Sequence, residues 1–378
     1  TTSAFADEEV TYEHPSDINS VVDIMKNYAF IGFNEVDMNG HQHINLLVNK
    51  VVGLPGDMGI RKNYAGVYEY YVNKLPENIS GELKIGENDP CVSNLTLGSD
   101  YTISTNGSER YIEPNHVKVS PSVTNIKAET ATNKYIDLVN LQNSFISYSA
   151  MLAENADSTE GIGFNGQYDS SSNTWQNINR INVTAESGTV FYNIDDTNFS
   201  KINSDAIINF SDTSTASIVL NIDLKNISWD RKPFRLNIGG NQPTMNEDVI
   251  LEDNVNRIYY NFYDSSAADK MTTKTVSMTD AAHGTIIIPK GAAKVGSNWC
   301  GVIVANNIGA TGESHFVGAY NPVVPASATV DVTVNKVWSE PSGQSHDSYY
   351  VKVDLMRSSA AETAQAIDNA ILDSSNNF

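Results

Sequence analysis

The chain is poor in cysteine, in basic residues and in long apolar runs. Each shortage removes a class of function. Two cysteines, Cys91 and Cys300, stand far apart in 378 residues. One such pair permits a single disulfide but builds no disulfide framework and no zinc-thiolate cluster, and both are expected as free thiols. Lysine and arginine number 24 against 45 aspartates and glutamates, a formal net charge of -21. Nucleic-acid binding needs basic side chains to displace counterions from phosphates, so it is excluded as a partner class. Anionic lipid surfaces are disfavoured for the same reason. No apolar run approaches the roughly 20 residues that a membrane-spanning helix requires, so no membrane insertion is expected. No G-x-S-x-G elbow, H-E-x-x-H pair, C-x-x-C pair or glycine-rich phosphate loop occurs.

What is present is strand-forming sequence. With 40% apolar and 18% charged residues, the chain has the composition of a folded protein. Runs rich in Val, Ile, Tyr and Thr recur between Asn, Gly, Asp and Ser: SIVLNIDL (217–224), RIYYNFY (257–263), GTIIIP (284–289) and GVIVANN (301–307). The pattern predicts an all-β dominated fold, a sandwich, a barrel or a β-solenoid. Asn-rich turns favour an irregular parallel β-helix, since Asn tolerates left-handed backbone and stacks in ladders. No strict short repeat is visible.

One segment departs from this pattern. Between about 130 and 156, Tyr135, Leu138, Leu141, Phe145, Tyr148 and Leu152 recur at spacings of three and four. That periodicity predicts one amphipathic helix lying on the β core, with Lys134, Asp137, Asn140 and Ser147 on its polar face. Two ends are set apart. Ala4-Phe5-Ala6 has the small-x-small form of an export-signal cleavage site, so residues 1–6 are expected to be a signal remnant. Asn321-Pro322-Val323-Val324-Pro325 is stiffened by two prolines and marks a boundary, dividing the chain into a domain at 7–322, a linker at 323–329 and a second module at 330–378.

The chemical candidates are few. TGESHF (311–316) places Glu313, Ser314 and His315 side by side. Neighbouring strand residues point to opposite faces, so Ser314 and His315 diverge, which argues against a nucleophile and its base. Glu313 and His315 share a face and are expected to form a buried structural pair. His41-Gln42-His43 puts two imidazoles on one strand face, a two-ligand lead toward zinc or copper, against the simpler reading of a polar turn. Glu35-x-Asp37-x-Asn39-Gly40 mimics an EF-hand start, but Leu46 occupies the bidentate position. Asp195-Asp196 with Asn198, and Asp253-Asn254, are further calcium leads in turns, with solvated turns the simpler reading and no cofactor expected.

Several of these stretches match one pattern. NRIYYNFYDSSAADK, HGTIIIPKGAAKVGSNWCGVIVANNI and GESHF resemble the C-terminal half of the choice-of-anchor A domain. Tyr260, Asn261 and Phe262 fit its first strand; Gly284, Thr285, Ile286, Pro289 and Ala292 fit its second strand and turn, altered by one residue. Gly301, Ile303, Ala305 and Asn306 fit the third, and Gly312, Glu313, His315 and Phe316 the last. YAFIGFNEVDMNGHQHINLLVNKV resembles the opening of the family, with Ile44 and Leu46 replacing its usual Gly and Ala. The resemblance covers about residues 25–320. It implies a non-catalytic adhesive domain, a parallel β-helix with one packed helix, in which these motif residues are structural. The last module resembles an incomplete Cna protein B-type stalk domain, a partial β-sandwich, with VTVNKVW (332–338) and YYVKVDLMR (349–357) as strands. By position Lys336 matches the lysine of that family's Lys–Asn isopeptide bond.

Together these readings imply a secreted, wall-anchored adhesin of a Gram-positive bacterium. Its tip would bind a host or environmental glycan or an extracellular-matrix protein, with the rest of the stalk and the anchor beyond residue 378. The rivals are a polysaccharide-active β-helix enzyme and a purely structural surface component.

Overall fold

The computed structural model describes residues 10–15, 18, 20–40, 42–54, 67–79, 81–86, 92–246, 248–249, 252–325, 351–357 and 365–372. The fold is mostly β with few helices, and the pairings within its largest sheet are parallel. A short helix, α1 (Val21–Asn27), opens it, its N-terminus capped by Ser20 Oγ, which accepts from the Asp23 amide at 3.2 Å. The following strands are β1 (Phe30–Met38), β2 (Gln42–His43), β3 (Leu46–Gly53), β4 (Val67–Lys74), β5 (Val92–Leu97) and β6 (Asn125–Ala128). Helix α2 (Leu138–Ala153) comes next. After it run β7 (Thr189–Ile194), β8 (Ser217–Asp223), β9 (Ile258–Tyr263), β10 (Ala282–Val295), β11 (Trp299–Ala310) and β12 (Ser314–His315).

These twelve strands, with Asp230–Arg231 and Thr275–Met278, form a 14-stranded sheet whose main path is β6-β5-β4-β3-β1-β11-β10-β9-β8-β7. The order records the route of the chain. From β1 it stacks outward to β6. It then crosses beside the sheet through α2 and resumes at the far end with β7. From there it stacks back inward until β11 pairs with β1. The two halves of the domain therefore meet at a seam. The seam is doubled by β2, which pairs in parallel with β12, itself paired with β11.

Both faces of this sheet are buried, which accounts for runs such as IIIP and VIVA where a half-exposed strand would alternate. Phe30, Val48, Val72, Ile286 and Ile303 point into one core. Their neighbours Ile31, Leu47, Tyr71, Ile287 and Val304 point into a second, shared with the helices. Leu141, Phe145, Tyr148 and Leu152 of α2 fill that second core. A further sheet joins the hairpin Ile162–Asp169 and Thr174–Val183 to Ile202–Phe210 and Arg235–Ile238.

The helix is shorter than its periodicity predicts. It begins at Leu138 rather than near 130 because the Asp137 carboxylate caps it, accepting from the Asn140 amide at 3.0 Å. Asn133 and Lys134 instead form a two-residue parallel pairing with Thr11 and Tyr12. Lys134 is thus not on the helix. Tyr135 is buried just before it, stacked on Tyr71 with ring centroids 4.9 Å apart. The chain still packs at Val323, where Tyr148 Oη donates to the Val323 carbonyl at 3.0 Å, and Val324 and Pro325 are exposed. Farther along the chain, Val351–Arg357 and Gln365–Leu372 pair antiparallel. Residues 1–6, 326–350, Lys336, Cys91 and His41 lie outside the described residues.

Candidate functional site

Among the described residues, two of the places that gather polar side chains bear on function. The first is an open groove of about 610 Å³ across β1, β3 and β4. Each strand contributes the same local pattern, an Asn, a charged residue and an aliphatic one: Asn34-Glu35-Val36, Asn49-Lys50-Val51 and Asn73-Lys74-Leu75. Parallel pairing sets these in register. Glu35 stands opposite Lys50, Lys50 opposite Lys74 and Val36 opposite Val51. On the other side of β1, Asn307 and Ile308 of β11 face Glu35 and Val36. The aliphatic residues turn inward and the polar ones line the groove.

Their side chains are held by one another. Asn73 Nδ2 donates to Asn49 Oδ1 at 2.7 Å, and Asn34 Nδ2 donates to Asn307 Oδ1 at 2.9 Å. Lys50 Nζ lies 3.2 Å from Glu35 Oε1 and 3.9 Å from Glu77 Oε1. Lys74 Nζ lies 3.8 Å from Asp100 Oδ2. Tyr101 borders the groove with its hydroxyl fixed by the Leu75 amide at 2.8 Å, and exposed Pro114 stands nearby. The groove thus offers amide donors and acceptors, two ammonium groups and an aromatic edge. That chemistry suits an extended polar ligand.

The second place is the seam. The register Ser314↔Gln42 and His315↔His43 sets two imidazoles side by side, with ring centroids 4.8 Å apart. His43 is 2% exposed and His315 0%. The Glu313 carboxylate, 35% exposed, reaches both: Oε1 is 2.8 Å from His43 Nε2 and 3.9 Å from His315 Nε2. Neighbouring backbone bonds fix the arrangement. The Trp299 amide donates to the Glu313 carbonyl at 3.0 Å, and the Phe316 amide to the His43 carbonyl at 2.9 Å. Gln42 Nε2 ties the turn, donating to the carbonyls of Asn39 at 2.7 Å and Gly312 at 3.0 Å.

This geometry adds to one sequence expectation. Glu313 lies nearest His43, not His315, because it precedes the two-residue strand and leans across the seam. His43 has an imidazole neighbour in His315, 272 positions along the chain, while His41 lies outside the described residues. The same rung extends further. His315 is in register with Cys300 of β11, and Cys300 with His283 of β10. Burial and the Glu313 carboxylate push the Cys300 thiol well above its ordinary value, so it is an unreactive core group. Burial holds His283 below its ordinary value, and its Nε2 lies 2.8 Å from the Thr244 carbonyl.

The remaining motif residues carry the fold. Asn261 and Phe262 are buried on β9. Gly284 and Gly301 are stacked in register on β10 and β11. Gly301 has φ +152°, and a Cβ there would stand 2.0 Å from the Gly284 carbonyl oxygen. Asn306 and Pro289 receive the same side chain of α2: Gln142 Nε2 lies 2.9 Å from the Pro289 carbonyl and 3.3 Å from Asn306 Oδ1. Phe316 is partly buried against both cores. Of the calcium leads, Asp195 caps the short helix Asp196–Lys201, accepting from the Asn198 amide at 2.8 Å, and Asp253 lies in an exposed turn.

The groove is not legible as a sequence repeat because its pattern has no fixed period. The pattern recurs after 15 residues and then after 24. The signal was there: Asn, charge, aliphatic, three times at the end of a strand-forming run.

A family model described as "Putative Ice-binding-like adhesive domain" matches residues 22–316. Among solved structures, two of an ice-binding protein from an Arctic yeast, one of them glycosylated, are similar at 12% identity. The match covers 84% of this chain and 100% of those, with a TM-score of 0.28. No curated protein gives a significant match.

Proposed function

Because this chain belongs to the family of ice-binding-like adhesive domains, we propose that it is the ligand-binding tip of a cell-surface adhesin, non-catalytic, with its polar groove taking an extended glycan. The observation that carries the reading is the groove of about 610 Å³ floored by in-register Asn and Lys side chains. Ladders of amides present donors and acceptors at the strand spacing of about 4.8 Å, which suits successive hydroxyls of a polysaccharide. In a chain of net charge -21, the two lysines and their carboxylate partners keep the groove locally mixed in charge.

The finer reading follows the same line. The domain is an irregular parallel β-helix of the choice-of-anchor A type, with α2 packed along it. The source is a Gram-positive bacterium, and the protein is attached to its wall. Residues 330–378 belong to a Cna-B-like stalk module, supported by the antiparallel pair Val351–Arg357 and Gln365–Leu372. No cofactor is needed for this role.

The test is binding of the full chain to an array of glycans and matrix proteins, with and without calcium. The expected result is a saturable glycan signal that survives moderate salt. Asn73→Ala and Lys50→Ala should each weaken it roughly fivefold, the loss of about one hydrogen bond. A matrix-protein signal alone would replace the glycan while keeping the adhesin. Shortening of a bound polysaccharide would instead make the chain an enzyme. A stable chain that binds nothing would leave a structural surface component.

A further inference from the structure

From the seam we infer that His43, Glu313 and His315 form a binding site for a divalent transition metal ion, zinc by the chemistry of the donors. Among the described residues these three are the one group of His, Cys, Asp and Glu side chains close enough to share an ion, with ligand atoms all within 4.8 Å of one another. Two imidazoles and one carboxylate make a donor set that zinc takes readily, leaving a fourth position for water. Zinc bonds of about 2.0–2.2 Å place tetrahedral ligand atoms roughly 3.4 Å apart. The observed separations of 2.8 Å for His43–Glu313 and 3.9 Å for His315–Glu313 bracket that value. The third pair, the two imidazole ligand atoms, lies within 4.8 Å, so closing the site draws them together by up to about 1.4 Å.

The setting supports the assignment. The two histidines are held on short parallel strands by backbone pairing and by burial, so the site is preformed by the fold. The Glu313 side chain, 35% exposed, gives an ion a route inward. One ligand comes from the first strands of the domain and two from the last. An ion here would fasten the N-terminal stack to the C-terminal one, at the place where the chain closes on itself. That fastening is independent of the ligand that the groove takes.

The experiment uses the untagged full chain, stripped with a chelator and dialysed. Zinc is titrated calorimetrically, cobalt(II) by its visible absorption, and melting is followed with and without zinc. The expected result is one equivalent bound with a tetrahedral cobalt spectrum. At a free zinc concentration about a hundredfold above Kd, the melting temperature should rise by roughly 5 °C. His43→Gln and His315→Gln preserve volume and hydrogen bonding, and Glu313→Gln leaves the fold least disturbed. Each should lower zinc affinity at least tenfold and abolish the shift, while melting of the stripped form stays within a few degrees. No zinc binding by the folded chain, or binding unchanged in all three variants, would overturn the site. Neither outcome bears on glycan binding, so the two proposals fail separately.

Discussion

Asn261→Leu should destabilise the domain sharply although Leu nearly matches Asn in volume. Asn261 is fully buried under α2 and makes three hydrogen bonds. Its Nδ2 donates to the Ser149 carbonyl at 3.0 Å and to Asn221 Oδ1 at 2.9 Å, and its Oδ1 accepts from Ser149 Oγ at 2.6 Å. Asn221 in turn donates to the Leu152 carbonyl at 2.7 Å. Leucine removes all three bonds and strands two buried groups, Asn221 Oδ1 and Ser149 Oγ. Each stranded group costs about 1–3 kcal/mol. The Ser149 hydroxyl can turn back to a carbonyl of its own helix, and the added apolar burial offsets part of the rest. The net loss is then roughly 2–4 kcal/mol. At about 2 °C per kcal/mol for a domain of this size, melting should fall by roughly 4–8 °C. Ser149→Ala in the Asn261→Leu background removes one stranded hydroxyl and should cost less than it does in the wild-type chain. Calorimetry of the four forms measures that coupling. A drop of less than about 2 °C for Asn261→Leu, or strict additivity with Ser149→Ala, would refute the claim that this network fastens α2.

Three further outcomes follow from the same structure. Gly301→Ala should cost several kcal/mol and sharply reduce soluble yield, because its Cβ would stand 2.0 Å from the Gly284 carbonyl oxygen; a variant that melts like the wild type would contradict the stacking of β10 and β11. His315→Ala should lower stability by roughly 2–4 kcal/mol in chelator, through the cavity left beside His43, and unchanged chemical denaturation would show that the seam needs no side chain there. Burial depresses the His283 pKa below 6.5, so the unfolded chain takes up its proton first as pH falls. Its contribution is intact above about pH 6.5 and drops below it by up to about 1.4 kcal/mol per pH unit, so His283→Gln should flatten the stability profile between roughly pH 6.5 and 5, and an unaltered slope would refute the assignment.

Much of this fold is written in local composition. Strands such as Ile258–Tyr263 and Trp299–Ala310 are rich in β-branched and aromatic residues, and two buried faces make them continuous runs rather than alternating ones. The face of α2 is equally legible, since Leu141, Phe145, Tyr148 and Leu152 keep helical spacing. Its start is less legible, because Tyr135 continues the apolar rhythm while Asp137 ends the extended chain by capping. Periodicity reports which residues are buried, and a buried tyrosine before a helix is indistinguishable from one inside it.

What local sequence could not show is register. In a parallel in-register stack, residues far apart in the chain become neighbours at one strand spacing, so like meets like without any fixed period. That is how His43 meets His315, and how the NEV, NKV and NKL triplets line one groove. The same mechanism explains why asparagine serves two ends here. Asn221 and Asn261 form an inner ladder because α2 covers them, and every polar atom must then find a partner within the protein. Asn34, Asn49 and Asn73 sit on the same sheet at a place no helix covers, and their remaining hydrogen-bonding capacity faces the groove. One residue type at corresponding strand positions is thus structural or available to a ligand according to a single fact of the fold, where the crossover helix lies. Function in this domain is therefore expected on the stretch of the stack that α2 leaves uncovered.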